Sequence, residues 1–257
     1  MKYVGQEELR TLKSKSNIKS VIGGVRLLIA MIVIILIVGL LIRLTCKKKE
    51  RNINSYATNT IEISDIPEYS GLPYVEINSN VPYFTDDEKV NIEVFEEYSN
   101  LDFLGRCGLA YANICPEIMP TEERGEIGMI KPSGWHTVKY NDLIDGNYLY
   151  NRCHLIAFCL AGENANEKNL ITGTRYLNIE GMLPFETQVA SYVERTGNHV
   201  LYRVTPSYEG NNLVADGVRI EAWSIEDNGK GICFNVYCYN VQPGIEIDYK
   251  TGDSRVR

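Results

Sequence analysis

The sequence predicts an α+β fold built on an antiparallel sheet and preceded by one N-terminal transmembrane helix. Three observations carry this. Leu27–Ile42, LLIAMIVIILIVGLLI, is apolar and uncharged. Asn169–Arg195 shifts to helical periodicity. After residue 198, three β-type runs follow one another, separated by the Gly/Asn-rich turns YEGNN and EDNGKG. That is the pattern of a meander.

Residues 1–20 form a basic, cytoplasmic N-terminus. At ~1.5 Å per residue the apolar run is shorter than a ~30 Å hydrocarbon core. Arg26 and Arg43 bound it and can snorkel, so residues 21–45 are expected to span the membrane. A cleaved signal peptide is the rival reading. No A-x-A-like site follows the run, and KKKER comes directly after it, which favours an uncleaved anchor. Basic residues flank both sides and barely set the orientation. An acidic body with the look of an exported module favours a single-pass protein of the cell membrane, its folded part outside. Secretion after cleavage is the alternative.

Residues 46–65 read as a polar linker, and residues 66–257 as the folded domain. Asp86–Glu97 has near-helical spacing and an acidic first turn, which predicts a helix. Arg106–Glu117 reads as a strand ended by Pro116, and Gly134–Tyr140 alternates as a second strand. TRYLNIEGM is a candidate helix. Pro184 then opens another, with Phe185, Val189, Tyr192 and Val193 on one face and TGN as the stop. The meander strands are His199–Pro206, Leu213–Ser224 and Ile232–Val241. The last is apolar on both faces, as a central strand would be.

The net charge of −7 hides an asymmetry. Residues 1–51 hold eleven Lys and Arg against three Asp and Glu; the rest holds fifteen against thirty. A body of charge −15 argues against coating nucleic acid through bulk charge. It leaves room for a local basic groove. No C-x-x-C occurs and there are three histidines, which argues against a structural zinc site. The six body cysteines are compatible with disulfides and equally with buried thiols.

The chemistry concentrates in Tyr150–Ala157, YNRCHLIA, where a polar Asn-Arg-x-His run ends an apolar strand. N-L-I-T-x-T, then L-N, then a glutamate follow. In this order the pattern resembles the DNA/RNA non-specific endonucleases, the ββα-metal (His-Me finger) nucleases with a D-R-G-H motif. It is most similar to the branch of streptococcal surface and secreted DNases, some of which read N-R-x-H. The resemblance runs from about Tyr69 to Tyr249.

The resemblance implies a ββα-metal site in which His154 is the base that activates water. Its ordinary pKa near ~6.5 allows a neutral imidazole at neutral pH. Asn178 would bind one divalent metal through its amide oxygen. Mg²⁺ is expected, with Mn²⁺ as the alternative, because a hard cation needs few protein ligands beyond water and phosphate. Glu186 would hold a water of the metal shell or orient the site, and counts as both a catalytic and a metal residue. Asn169 would support the histidine or the metal site. Arg152 joins the catalytic set, and it and Arg175 are candidates for phosphate contact.

Two positions depart from the family. Asn151 stands where Asp is commoner, and Cys153 where Gly or Ser is usual. Cys153 is not expected to be a nucleophile, because adjacent strand residues point to opposite faces. His136 and His199 are assigned no role. The function implied is a membrane-anchored, metal-dependent, sequence-non-specific endonuclease cutting DNA, with RNA as a second substrate, and leaving 5′-phosphate ends. One rival is a catalytically inactive, membrane-tethered nucleic-acid-binding or structural module of the same fold. Another is an exported toxin nuclease.

Overall fold

The computed structural model describes residues 66–257. The expected N-terminus 1–20, anchor 21–45 and linker 46–65 lie outside those residues. Among the described residues, no helix is long and apolar enough to cross a membrane.

The strands are β1 (Tyr74–Glu76), β2 (Glu96–Tyr98), β3 (Ala110–Ile114), β4 (Tyr150–His154), β5 (Leu170–Thr174), β6 (Val200–Ser207), β7 (Gly217–Ser224), β8 (Cys233–Tyr239), β9 (Ile245–Ile247) and β10 (Ser254–Val256). The helices are α1 (Phe158–Ala161) and α2 (Leu183–Thr196). A π-helical segment, Leu177–Met182, runs directly into α2.

Six strands form one sheet in the order β1-β8-β7-β6-β3-β2, and each pairing in it is antiparallel. The expected meander is its centre. The Cys233–Tyr239 strand is interior, though its outer neighbour β1 is only three residues long. β4 and β5 make a separate antiparallel ribbon, with Tyr150 opposite Thr174 and His154 opposite Leu170. The chain passes from β5 into the π segment and α2, which completes a ββα unit.

Period-2 alternation gives the sheet two faces. On one, Val200, Tyr202, Val204, Val218, Ile220 and Ala222 pack on Cys153, Leu155, Leu177, Met182, Val189 and Val193. On the other, Tyr111 and Leu201 meet Phe84 and Phe95. The ribbon is stapled to the sheet by one buried side chain. Asn240 accepts from the Thr174 amide at 2.8 Å and donates to the Thr172 and Ala215 carbonyls at 3.0 and 2.8 Å.

The C-terminal elements match their sequence signals. α2 buries Val189, Tyr192 and Val193 and half-buries Phe185, and it stops at Gly197, whose φ of 70° suits glycine. The two helices expected on either side of Pro184 are joined without a break. The wide π turn, closed by the Leu183 amide on the Asn178 carbonyl, absorbs the ring and the missing donor of Pro184.

Two expectations are corrected. Asp86–Glu97 is not a helix: one 3₁₀ turn covers Glu88–Val90, and the segment ends as β2. Val90 and Val94 are exposed, so the helical spacing has no face to bury. Pairing of Glu96–Tyr98 with Ala110–Ala112 decides the backbone instead. Gly134–Tyr140 is not a strand. Only Lys139 bridges, to Tyr148, and the segment packs as a loop through Trp135, Val138 and Tyr140 against Leu149, Tyr150 and Ile245. The six body cysteines are all free thiols.

Candidate active site

His154 is the last residue of β4, and Asn178 lies in the first turn of the helical segment that follows β5. The hairpin brings the strand end beside the helix start, and both side chains open on one cleft of about 820 Å³. Glu186, Asn151, Arg152 and Arg175 line the same cleft. Six of the seven residues singled out in the sequence therefore meet.

The seventh, Asn169, is fully buried and does not face the cleft. Its Oδ1 accepts from the Ile156 amide at 2.8 Å and its Nδ2 donates to the Ile156 carbonyl at 2.9 Å. It thus clamps the backbone two residues beyond His154 and supports the site through the main chain.

His154 is 6% exposed. Its Nε2 lies 2.9 Å from the Asn164 carbonyl. A carbonyl only accepts, so Nε2 carries the proton and Nδ1 carries the lone pair. Burial, and then the nearby Arg124 charge, hold the imidazole below its ordinary pKa against the Asn164 hydrogen bond. The neutral form needed to accept a proton is thus favoured at neutral pH.

Arg124 was not singled out in the sequence. Its Nη2 lies 3.4 Å from His154 Nδ1, and its side chain forms part of the cleft wall. It comes from a highly charged loop, TEERGE, with no periodic signal to distinguish one arginine from its neighbours.

Glu186 is 8% exposed. Burial pushes its carboxyl up to about 8, opposed only by Arg124. Arg124 offsets only part of the cost of burying a carboxylate there, so Glu186 would accommodate further positive charge. Together with the Asn178 amide oxygen it supplies hard oxygen donors, which suit a divalent cation of the Mg²⁺ type.

Cys153 points away from His154, as strand alternation requires. Its thiol donates to Asn178 Oδ1 at 3.0 Å and lies 3.6 Å from the Met182 sulfur. Burial raises its pKa well above the usual thiol range, so it is a neutral donor. An amide oxygen has two lone pairs; with one engaged by Cys153, the other remains for the cleft. Gly173, paired with Asn151 on β5, is the diagonal neighbour of Cys153; a Cβ there would meet the Cys153 Cβ at 2.6 Å, so the thiol has room only against glycine.

The arginines differ. Arg152 donates through Nε to the Ile130 carbonyl and through Nη2 to the Gly128 carbonyl at 2.8 Å, and its guanidinium lies 4.1 Å from the centre of the Trp135 ring. Two of its donor groups are committed to holding the 128–135 loop. Among the described residues, Arg175 makes a 3.6 Å ion pair with Asp145, whose side chain is 97% exposed. Such a pair is worth little and leaves the guanidinium available.

An antiparallel ββα unit that presents a neutral histidine and oxygen donors in a cleft walled by arginines defines the metal-dependent nucleases. The chain belongs to the DNA/RNA non-specific endonuclease family, whose model matches residues 86–225. It is 32% identical over 119 residues to a deoxyribonuclease of Streptococcus dysgalactiae subsp. equisimilis, a match covering 44% of this chain and 34% of that relative's length. It resembles the crystal structure of NucA from Streptococcus agalactiae with magnesium bound, at TM-score 0.63 and 28% identity over 73% of this chain and 91% of that one. The Sda1 nuclease with bound zinc is similar at TM-score 0.54 and 28% identity, over 63% and 82% of the two chains.

Proposed function

We propose that this protein is a sequence-non-specific endonuclease that hydrolyses DNA, with RNA as a second substrate, using one Mg²⁺ and leaving 5′-phosphate and 3′-hydroxyl ends. The observation that carries this reading is the lone pair of His154 Nδ1 opening on the same cleft as the oxygen donors of Asn178 and Glu186.

His154 Nδ1 takes a proton from the attacking water as the new P–O bond forms. The P–O3′ bond breaks, and its electron pair leaves on the 3′ oxygen, which is then protonated. Arg124 is within reach of the phosphate as charge builds. Its 3.4 Å contact to Nδ1 is long enough to yield when a phosphate competes for the guanidinium. Cys153 holds the Asn178 amide in its ligating orientation. A divalent ion held by Asn178 and Glu186 would supply positive charge for the phosphate and the leaving oxygen. Arg175 and the remaining edge of Arg152 contact the backbone phosphates, which carry no base identity, so cleavage is non-specific. These arginines make the local basic groove that the acidic body leaves room for.

The uncharged run Leu27–Ile42 supports a single-pass anchor that tethers the nuclease domain, residues 66–257, outside the cell. The test is plasmid nicking by the full-length protein with Mg²⁺ and with EDTA. Cleavage should need the metal, and His154→Ala should lose it while the circular dichroism spectrum stays native. Wild-type nicking by that variant would reject His154 as the base.

A further inference from the structure

Just beyond the paired ends of β3 and β6 lies a second cluster of ligand-type side chains. Cys115 Sγ, a Glu117 carboxylate oxygen and a His199 ring nitrogen all lie within 4.8 Å of one another. The register explains why they meet. β3 pairs with β6 so that Ile114 faces Val200, and one step beyond the ladder Cys115 and His199 become cross-strand neighbours. Pro116 then turns the chain and returns Glu117 to the same spot. None of the three lines the nuclease cleft.

No C-x-x-C pair marks a zinc site in the sequence. The fold supplies one sulfur, one nitrogen and one oxygen donor instead, from residues far apart in the chain. We propose that Cys115, Glu117 and His199 form a second metal site, selective for Zn²⁺-type cations and separate from the nuclease centre. A thiolate with an imidazole suits zinc far better than Mg²⁺, which takes oxygen ligands. Tetrahedral zinc holds such ligands about 3.5 Å apart, so no pair in a cluster spanning 4.8 Å needs to close by more than about 1.3 Å.

The histidine is already braced from behind. Glu226, just past β7, meets His199 Nδ1 at 2.5 Å and accepts from the His199 amide at 2.9 Å. A carboxylate on one ring nitrogen is the arrangement in which histidine offers the other to a metal. Cys115 is buried and Glu117 exposed, so the cluster opens to solvent on one side and leaves room for a water as fourth ligand. Binding would exchange the Cys115 thiol proton for the cation. The site ties the end of β3, the start of β6 and the turn after β7, and so would act as a staple on the sheet.

The test uses full-length, chelator-stripped protein kept in saturating Mg²⁺. Zn²⁺ should bind with one equivalent that Mg²⁺ does not displace and should raise Tm. Co²⁺ should give a thiolate charge-transfer band. Cys115→Ser and His199→Gln should each lose the band and the Tm response, whereas Cys153→Ser should keep both. Glu226→Gln should weaken zinc affinity about 10–100-fold. Mg²⁺-dependent nicking by His199→Gln, unchanged from wild type, would show that the variant is folded and would keep this site distinct from the nuclease reading. Absence of the band in wild type, its loss with Cys153→Ser, or wild-type zinc binding by the Cys115 and His199 variants would overturn the proposal.

Discussion

A single guanidinium links the two titrating groups of the cleft. Arg124 lowers the pKa of His154 and opposes the rise at Glu186. On the proposed role of His154 as the neutral base, activity should fall as pH drops through its pKa, which lies below the ordinary 6.5. Arg124→Gln removes one of the influences that hold it down, so the acid limb of kcat/KM should move to higher pH. The same variant should lose about 10²–10³ in kcat through the missing transition-state charge. A pH profile with an unmoved limb would show that Arg124 does not act on His154. Cys153 gives a second test at this scale. Cys153→Ala deletes the donor that fixes the Asn178 amide and should raise the Mg²⁺ concentration for half-maximal nicking about 10–100-fold. Cys153→Ser keeps a donor and should stay near wild type.

Between elements, the ββα unit depends on two buried asparagines and one unusual turn. Asn169 locks the backbone just after β4, and Asn240 ties β5 to the large sheet by three hydrogen bonds. Asn240→Ala leaves a backbone amide and two carbonyls unpaired in the interior. We expect a loss of about 3 kcal/mol or more, at 1–3 per orphaned group, read by denaturant melts. Nicking should weaken with it, because the ribbon carries His154 while the sheet backs the helix that carries Asn178. The π turn places Asn178 at the mouth of the helical segment and lets Pro184 follow without a break. Sequence periodicity marked both helical stretches correctly. It could not show that a wide turn joins them, because that geometry depends on how Gly181 packs against Cys238.

Across the whole molecule, the second face of the sheet is built around charge. Arg203 and Glu221 are cross-strand partners, 2% and 0% exposed, joined by two hydrogen bonds of 2.8 and 2.9 Å. Burial alone would raise the pKa of Glu221, but Arg203, aided by Arg219, holds it below the ordinary carboxylate value. Its folded pKa is therefore depressed, and its contribution to stability is present above the unfolded pKa and lost as pH falls through the folded one. Glu221→Ala strands a buried guanidinium and should cost about 3–5 kcal/mol at neutral pH. That difference from wild type should shrink in acid melts. The −15 body also makes substrate capture depend on the local arginines, so nicking should fall steeply as salt rises.

What the sequence determined by itself was local. The meander, α2 with its glycine stop and the strand that ends at His154 follow from periodicity, turn chemistry and caps, which act within a few residues. His154, Asn178 and Glu186 were legible because they recur in a fixed order along one continuous stretch. The tertiary structure decided the rest. Glu96–Tyr98 joins the sheet because an edge pairing outweighs a weak helical pattern. Arg124 reaches His154, and Cys115 meets His199, only once strands and loops distant in sequence are packed together. Such meetings are contacts between separate elements, so no local pattern encodes them.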